Sequence, residues 1–178
     1  MTKHPNPITV EGIVRIHLSN GMDAIVDFDD YEKVCHLHWS PKSGRCGTGI
    51  WYAVSGGIGM HRFLMGCLAD HRDGDGLNNR RSNLRPCTPA QNKRNARKCA
   101  RPCTSMYKGV RFHKNRGLFE ASVYADGKRT YLGAFSHEDD AAWAYDSAAL
   151  ELHGEFARIN FPEDRLRGYQ IVGAEATR

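Results

Sequence analysis

The run CARPCTS, residues 99–105, separates two stretches of chain whose apolar patterns differ. Pro102 lies within it, and no helix continues through a proline, because its ring removes one backbone N–H and clashes with the preceding turn. Each flanking stretch is long enough to form a small domain of its own. The sequence therefore predicts domains at 1–98 and 106–162, a linker at 99–105 and a tail at 163–178.

The N-terminal stretch is predicted to consist of strands and one short helix. Asn20-Gly21 lies between two apolar runs, which is typical of a β-hairpin turn. Apolar residues spaced by three and four indicate a short amphipathic helix over residues 29–39. IWYAVSG, residues 50–56, resembles a strand, and MHRFLMG, residues 60–66, forms another apolar segment.

The C-terminal stretch is predicted to form a small sheet and a helix. Three short strands are expected at 107–111, 118–124 and 129–135, the last two joined by a turn at Asp126-Gly127. An amphipathic helix follows, with Ser136 as its N-cap and Gly154 at its end. The chain is therefore assigned to the α+β class, with a three-stranded antiparallel sheet packed on one helix in its second part.

Positive charge is concentrated in the middle of the chain. Residues 72–101 contain two aspartates and nine basic residues, for a local charge of +7 within a total of +5: Arg72, Arg80, Arg81, Arg85, Lys93, Arg94, Arg97, Lys98 and Arg101. Segregated charge of this kind favours a polyanion as partner, through phosphate contacts that do not depend on sequence. A solvated basic helix is the alternative.

The sequence lacks features of membrane and secreted proteins. No apolar run is long enough to span a bilayer, and no signal pattern precedes the first domain, so we expect no membrane partner and a cytoplasmic location. The six cysteines include no C-x-x-C pair. Because structural zinc sites normally show such paired spacing, reduced thiols are preferred to a zinc site.

The run LADHRDGDGLNNRRSNLRPCTPAQN, residues 68–92, is either a loop of turn residues or a site. If it folds as strand, loop, strand and helix, with Thr88 capping a helix from Pro89, then Asp70, His71 and Asn92 meet. A neutral imidazole can deprotonate water, while carboxylate and amide oxygens suit magnesium or manganese. These residue types match the hydrolysis of a phosphodiester bond.

The same run resembles the HNH endonucleases of the ββα-metal type over residues 8–98. The residues on which this resemblance rests are Asp70-His71, Asn83 in SNLR and Asn92 in TPAQN. The resemblance implies that His71 is the general base, that Asp70 and Asn92 hold one divalent ion, Mg²⁺ or Mn²⁺, and that Asn83 braces the loop orienting the histidine. At Arg72-Asp73, this sequence departs from the family pattern.

Further residues of the first domain are predicted to line the site or contact DNA. MHRFLMG is similar to the family's upstream His-Arg element, which assigns His61 and Arg62 to this role. The basic residues expected to contact phosphate are Arg72, Arg80, Arg81, Arg85, Lys93, Arg94 and Arg97.

Residues 107–162 resemble an ethylene-response-factor (Apetala-type) DNA-binding domain. The elements GVR, YLGAF, AAWAYDSAAL and NFP occur in the family's order. The resemblance implies that the sheet lies in the major groove of double-stranded DNA and that the helix packs behind it. Seven residues fall on the DNA-contacting strands and turns: Lys108, Arg111, His113, Arg116, Lys128, Arg129 and Tyr131.

Together, the two resemblances indicate a homing-type endonuclease of the kind found in phage and bacterial genomes. A monomer with one site would nick DNA, and a homodimer or two successive events would break both strands. The main alternative is a non-cleaving DNA-binding regulator that uses the nuclease-like fold as a clamp. A zinc-stabilised module built on Cys87, Cys99 and Cys103 is a third possibility.

Overall fold

The structure is a computed structural model that describes residues 9–10, 12–44, 49–98 and 103–161. Residues 1–95 and 96–178 form two compact units. Part of the predicted linker, including Cys99 and Arg101, lies outside the described residues, as does the predicted tail. No helix in the described ranges has the length and apolar character needed to cross a membrane.

The first unit contains three small antiparallel sheets. The first sheet has the order β1 (Thr9–Val10), β2 (Ile13–His17) and β3 (Asp23–Asp27), and the second has β4 (Ser40–Ser43), β5 (Trp51–Ser55) and β6 (Ile58–Gly59). The third sheet pairs β7 (Ala69–His71) with β8 (Leu84–Pro86). The hairpin predicted at Asn20-Gly21 and the strand predicted at 50–56 are both present.

Three short helices complete this unit. They are α1 (Tyr31–Val34), which follows a 3-10 turn at Phe28–Asp30, α2 (Met60–Met65) and α3 (Pro89–Asn95). The apolar segment MHRFLMG is thus helical through Met65, and Gly66 ends it in the left-handed region. The helix expected over 29–39 stops at Val34, because its carbonyl accepts hydrogen bonds from Leu37 N and Trp39 Nε1.

The second unit is one antiparallel sheet and one long helix. The sheet has the order β11 (Lys128–Phe135), β10 (Leu118–Ala125) and β9 (Val110–His113), and α4 (Glu138–His153) packs on it. Asp126 and Gly127 both have positive φ in the turn between β10 and β11, as hairpin turns of this type require. The predicted α+β class is confirmed.

Each unit has its own apolar core. In β2 the side chains alternate, so that Val14 and Ile16 are buried against Trp39 and Met60 while Arg15 faces out. The second core places Val110, Ala121 and Phe135 of the sheet against Ala141 and Ala142 of α4. Trp143 and Tyr145 of α4 are buried as well.

The start of α4 differs from the prediction. Its N-cap residue is His137 rather than Ser136, and this residue makes no capping hydrogen bond through its side chain. Glu138, Asp139 and Asp140 lie in the first turn, where negative charge stabilises a helix by opposing its dipole. Gly154 ends the helix as predicted.

Candidate functional site

The loop that joins β7 to β8 is tied to the strand β3. Ile25 N donates to Leu77 O at 2.9 Å, and Asn79 N donates to Ile25 O at 2.8 Å. These bonds extend the edge of β3 onto the loop, with a parallel bridge between Ile25 and Asn78. A loop rich in glycine and asparagine is in this way held in one conformation by a strand distant in sequence.

The Asp73 carboxylate is the centre of the loop's hydrogen bonds. Its Oδ1 accepts from Asp75 N at 2.8 Å and from Asn83 Nδ2 at 2.9 Å, while Oδ2 accepts from Asn78 Nδ2 at 2.8 Å. Burial alone would raise the pKa of Asp73, but these hydrogen bonds outweigh it and lower the pKa. The departure at Arg72-Asp73 therefore supplies the residue that organises the loop.

Asn83 spans the base of the same loop. Its Nδ2 also donates to Asn78 O at 2.8 Å, and its Oδ1 accepts from Asp73 N at 3.1 Å. The backbone closes the loop beside it, since Arg72 N donates to Asn83 O. These bonds tie Asn83 to Asp73 and Asn78 within the loop that follows His71.

The Asp70 carboxylate is buried next to an arginine. Asp70 is only 7% exposed, and it lies opposite Arg85 in the register of β7 and β8. Arg85 Nη2 donates to Asp70 Oδ2 at 2.9 Å, and Asn95 Nδ2 donates to the same oxygen at 2.9 Å. Among the described residues, these hydrogen bonds go to Oδ2, which leaves Oδ1 as the oxygen available to a cation.

The helix α3 carries two asparagines, Asn92 and Asn95, and Asn95 reaches this end of the sheet. Thr88 and Gln91 form a reciprocal capping box, in which Thr88 N donates to Gln91 Oε1 and Gln91 N donates to Thr88 Oγ1. Asn92 lies in the following turn and is exposed. Asn95, three residues later on the same helix face, is the residue that bonds to Asp70 and to the His71 carbonyl, at 2.7 Å.

His71 is buried, at 4% exposure, and held by Asn79. The imidazole Nε2 lies 3.3 Å from Asn79 Oδ1. Because Asn79 Nδ2 donates to Leu77 O, its oxygen faces the imidazole, so Nε2 carries the hydrogen and Nδ1 has the free lone pair. Burial lowers the pKa of His71, and the bond to Asn79 and the charge of Asp73 oppose that shift in part.

His61 and Tyr52 complete an aromatic cluster around His71. The rings of His61 and His71 are 4.7 Å apart in an edge-on arrangement, and Tyr52 lies 5.8 Å from His71. A side chain at Gly59 would come within 2.6 Å of the His61 ring, so the chain needs glycine there. Burial and the neighbouring His71 lower the pKa of His61 to about 3, which keeps this imidazole neutral.

The basic residues predicted to contact DNA in this unit occupy different surroundings. Arg62, Arg72 and Lys93 are exposed. Arg81 bonds to Asp30 through Nε and Nη2, and Arg80 Nε donates to Asn78 Oδ1, so both help to hold the loop. Arg94 is partly exposed, whereas Arg85, at 3% exposure, lies inside the site and not on its surface.

In the second unit, the predicted contact residues occupy three kinds of surroundings. Lys128, Arg129 and Tyr131 are exposed on β11, where Arg129 Nε donates to Ser122 Oγ at 3.0 Å. Arg111 and Arg116 both pair with the buried Glu120, at 2.6 and 3.6 Å. His113 is partly exposed with a buried Nδ1, and Lys108 and Arg97 lie at a cleft described below.

Four residues of the site escaped sequence reasoning: Tyr52, Asn79, Arg85 as a partner of Asp70, and Asn95. Asn79 is in a run whose glycines and asparagines are explained equally well by turns. Arg85 was predicted to contact DNA together with many other basic residues. Its position opposite Asp70 in a β-hairpin could have identified it as the partner of that carboxylate. Tyr52 comes from a separate sheet, so no spacing along the chain identifies it.

The thiols of Cys87 and Cys103 are free, and Cys99 lies outside the described residues. The proposed zinc module therefore stays a prediction. Within the described part of the chain, the His, Cys, Asp and Glu side chains close enough to share an ion are Glu32, Cys35 and His36, at the surface near α1.

Comparison with known proteins gives relatives for both parts of the chain, although no family model matches it. An uncharacterized HNH endonuclease of Acanthamoeba polyphaga mimivirus is 33% identical over 150 residues, which cover 79% of this chain and 75% of that protein. Protein 3.8 of Escherichia phage T7 is 34% identical over 110 residues, covering 62% of this chain and 85% of the phage protein.

Plant transcription factors are also similar to part of the chain. An AP2-like ethylene-responsive transcription factor of Arabidopsis thaliana is 40% identical over 73 residues, or 41% of this chain. The chain spans only 15% of the length of that protein. The similarities confirm the combination of an HNH-like part with an AP2-like part.

Proposed function

The chain belongs to the HNH endonuclease family, and we propose that it is a metal-dependent endonuclease that nicks double-stranded DNA bound by its second unit. The observation that carries this proposal is the position of His71. Its Nε2 is engaged by Asn79, its Nδ1 is the basic nitrogen, and the carboxylate of Asp70 precedes it on the same strand. The hydrolysis of a phosphodiester bond requires such a base next to a cation site.

In the proposed reaction His71 acts as the general base. Nδ1 takes a proton from a water molecule, whose oxygen attacks the phosphorus atom. The bond from phosphorus to the 3′ oxygen breaks, and that oxygen takes up a proton from solvent, which leaves a 5′ phosphate and a 3′ hydroxyl. Asn83 contributes by fixing the loop through Asp73, which keeps Asn79 and therefore the imidazole in place.

We propose that the site takes one divalent cation of the magnesium or manganese type. Asp70 Oδ1 and the amide oxygen of the exposed Asn92 would supply hard oxygen ligands, and water and phosphate oxygens would fill the remaining positions. When bound, the ion would stabilise negative charge on the leaving oxygen. Since Arg85 already balances the Asp70 charge, we expect metal binding to be weak until DNA phosphate is present.

The second unit is proposed to supply affinity for DNA. Lys128, Arg129 and Tyr131 of β11 are all exposed, with Tyr131 at 56%, and Arg129 and Tyr131, two residues apart, project from the same face of the strand. A strand face that combines a cation with an aromatic residue suits contact with a DNA groove. Tethering the two units raises the local concentration of the nuclease site once the sheet has bound.

Conversion of supercoiled plasmid to the nicked circle, with Mg²⁺ or Mn²⁺ present, tests the proposal. We expect His71→Ala to slow nicking by about 10² to 10⁴-fold, as is typical for loss of a general base, while duplex binding is retained. His17→Ala is a matched control, because its side chain is 84% exposed and outside the site. Equal nicking by the wild type, by His71→Ala and in the presence of EDTA would reject the proposed activity.

A second candidate function is a DNA-binding regulator that does not cleave. The specific observation in its favour is the ion pair between Asp70 and Arg85, which neutralises the one carboxylate proposed to hold the metal. This alternative predicts salt-sensitive binding of duplex DNA without nicking at any concentration of Mg²⁺ or Mn²⁺. The plasmid experiment distinguishes the two functions directly.

A further inference from the structure

A cleft of about 300 Å³ in the second unit is lined by four basic side chains. Arg97 and Lys98 come from the segment after α3, Lys108 precedes β9, and Arg158 follows α4. No carboxylate belongs to the described lining, in which Tyr107 and Asn160 are the other polar side chains. A concave surface of this size, with one sign of charge, concentrates anions.

The walls of the cleft are fixed by hydrogen bonds. Asn160 Oδ1 accepts from Lys108 N at 2.7 Å, and Asn160 Nδ2 donates to Lys108 O at 3.1 Å. Asp146, fully buried, accepts from Asn160 N and Nδ2 at 2.8 Å. Lys98 Nζ donates to the carbonyls of Tyr107 and Val110, so the segment carrying Arg97 is held against the turn before β9.

Two described carboxylates near the cleft accept hydrogen bonds from its lining residues. Asp146 accepts from Asn160 N and Nδ2, and Glu138 Oε1 accepts from Met106 N. Burial and the charge of Arg158 lower the pKa of Lys108 to about 8, which is the direction expected where cations are crowded. An anion in the cleft would relieve that repulsion.

We propose that this cleft binds a phosphate group, and that its source is a backbone phosphate of duplex DNA bound to the second unit. Sequence reasoning assigned Arg97 to phosphate contact from the charge cluster and Lys108 from the family resemblance. The structure brings these two residues together and adds Arg158 from a segment 50 residues further along the chain. The DNA source rests on the proposed function; the phosphate chemistry of the cleft does not.

Binding of a fluorescein-labelled 30-base-pair duplex to the full chain, in EDTA and over a range of salt concentrations, provides the first arm of the test. We expect Arg158→Gln and Arg97→Gln each to weaken binding several-fold and to reduce the slope of log affinity against log salt by about 0.9, the loss of one phosphate contact. Arg158→Lys should retain the slope. Arg15→Gln is the matched control, because this arginine is 70% exposed in the first unit.

Titration of the ¹⁵N-labelled chain with inorganic phosphate provides the second arm. Saturable shifts at Tyr107, Lys108 and Arg158 that Arg158→Gln abolishes, with unchanged DNA binding, would support the phosphate site and assign it to free phosphate. Wild-type salt slopes in both glutamine variants, together with no phosphate-induced shifts, would overturn the site. If the wild-type chain binds no duplex, the proposed function is rejected, and the phosphate titration alone decides whether the cleft binds phosphate. Should Arg158→Gln fold poorly, the exposed Arg97 gives the same comparison.

Discussion

The two units use similar polar residues in opposite ways. Around His71 and Asp70 the polar side chains are buried and bonded to one another, whereas Lys128, Arg129 and Tyr131 of the second unit are exposed on an open strand. A buried network fixes atoms relative to each other, which chemistry on a single bond requires. An exposed surface keeps its side chains hydrated and adaptable, which is sufficient for holding a polyanion.

The same contrast is visible in the arginines. Arg85 is buried against Asp70, and Arg81 connects the site loop to Asp30, 51 residues away in sequence. In the second unit, the exposed Arg129 bonds to Ser122 of the neighbouring strand. Substitutions in the hydrogen-bonded network around His71 and Asp70 should therefore affect stability and catalysis together, while those on the exposed sheet surface should affect affinity alone.

The largest expected effect is a loss of folding stability in the second unit, at the contact between Gly109 and the helix α4. Gly109 has a φ of +79°, and a Cβ there would overlap the ring of the buried Tyr145. Gly109→Ala should lower the free energy of unfolding by about 3 kcal/mol or more. Gly117→Ala, at φ +65° with open space around it, should cost about 1 kcal/mol. Chemical denaturation followed by residue-resolved NMR measures both; equal losses would contradict the packing explanation.

The next largest effect is expected for the loop of the first unit, where stability and nicking should fall together. Asp73→Ala removes the acceptor for Asn78 Nδ2, a buried donor, and for one of the bonds of Asn83. We expect a loss of about 2 kcal/mol, together with slower nicking, because the loop holds His71 through Asn79. Asp29→Ala is the control, since Asp29 is exposed. Full nicking by a fully stable Asp73→Ala protein would show that the network is not needed.

The acid stability of the first unit should depend on the ion pair of its loop. The hydrogen bonds from Arg81, and then from Lys33, lower the pKa of the buried Asp30 from 3.8 to about 2. A folded-state pKa below the unfolded value stabilises the fold above pH 4, and this contribution is lost as the pH falls to about 2. The loss should amount to between about 1 and 2 kcal/mol.

Unfolding measured from pH 6 to pH 2 in the wild type and in Arg81→Gln checks this prediction. The variant should be less stable at pH 6 and should show a flatter dependence between pH 4 and pH 2. Arg15→Gln, which removes an exposed arginine of the same unit, should behave as the wild type does. A parallel, unflattened curve for Arg81→Gln would assign the acid sensitivity to other groups.

The smallest expected effect concerns the exposed strand. Arg129→Gln should weaken duplex binding by less than tenfold and lower the salt slope by about 0.9, with stability unchanged within about 0.5 kcal/mol. Nicking at saturating protein should also be unchanged, because the residue lies outside the nuclease site. Fluorescence anisotropy and plasmid nicking measure these quantities side by side. A loss of nicking without a loss of affinity would contradict the division of roles.

Much of the secondary structure followed from short-range patterns. The Asn20-Gly21 and Asp126-Gly127 turns, the helix from Pro89 after Thr88 and the end of α4 at Gly154 depend on residues adjacent in sequence. The errors lay at the ends of helices. The helix after Phe28 is shorter than predicted, since the Val34 carbonyl accepts from Leu37 N and from the side chain of Trp39, and the spacing of apolar residues does not contain these contacts.

The sequence by itself determined the division into two parts, because turns, caps and apolar periods are local, and it predicted a site from the pattern of Asp70, His71, Asn83 and Asn92. Only the tertiary structure decided which of the surrounding polar groups meet. Asn79 faces His71, Arg85 faces Asp70, and Arg158 joins Lys108 at one cleft. Such pairings depend on strand register and on the packing of separate elements. The sequence alone therefore does not distinguish the asparagines and arginines that form these pairs from the others in the loops.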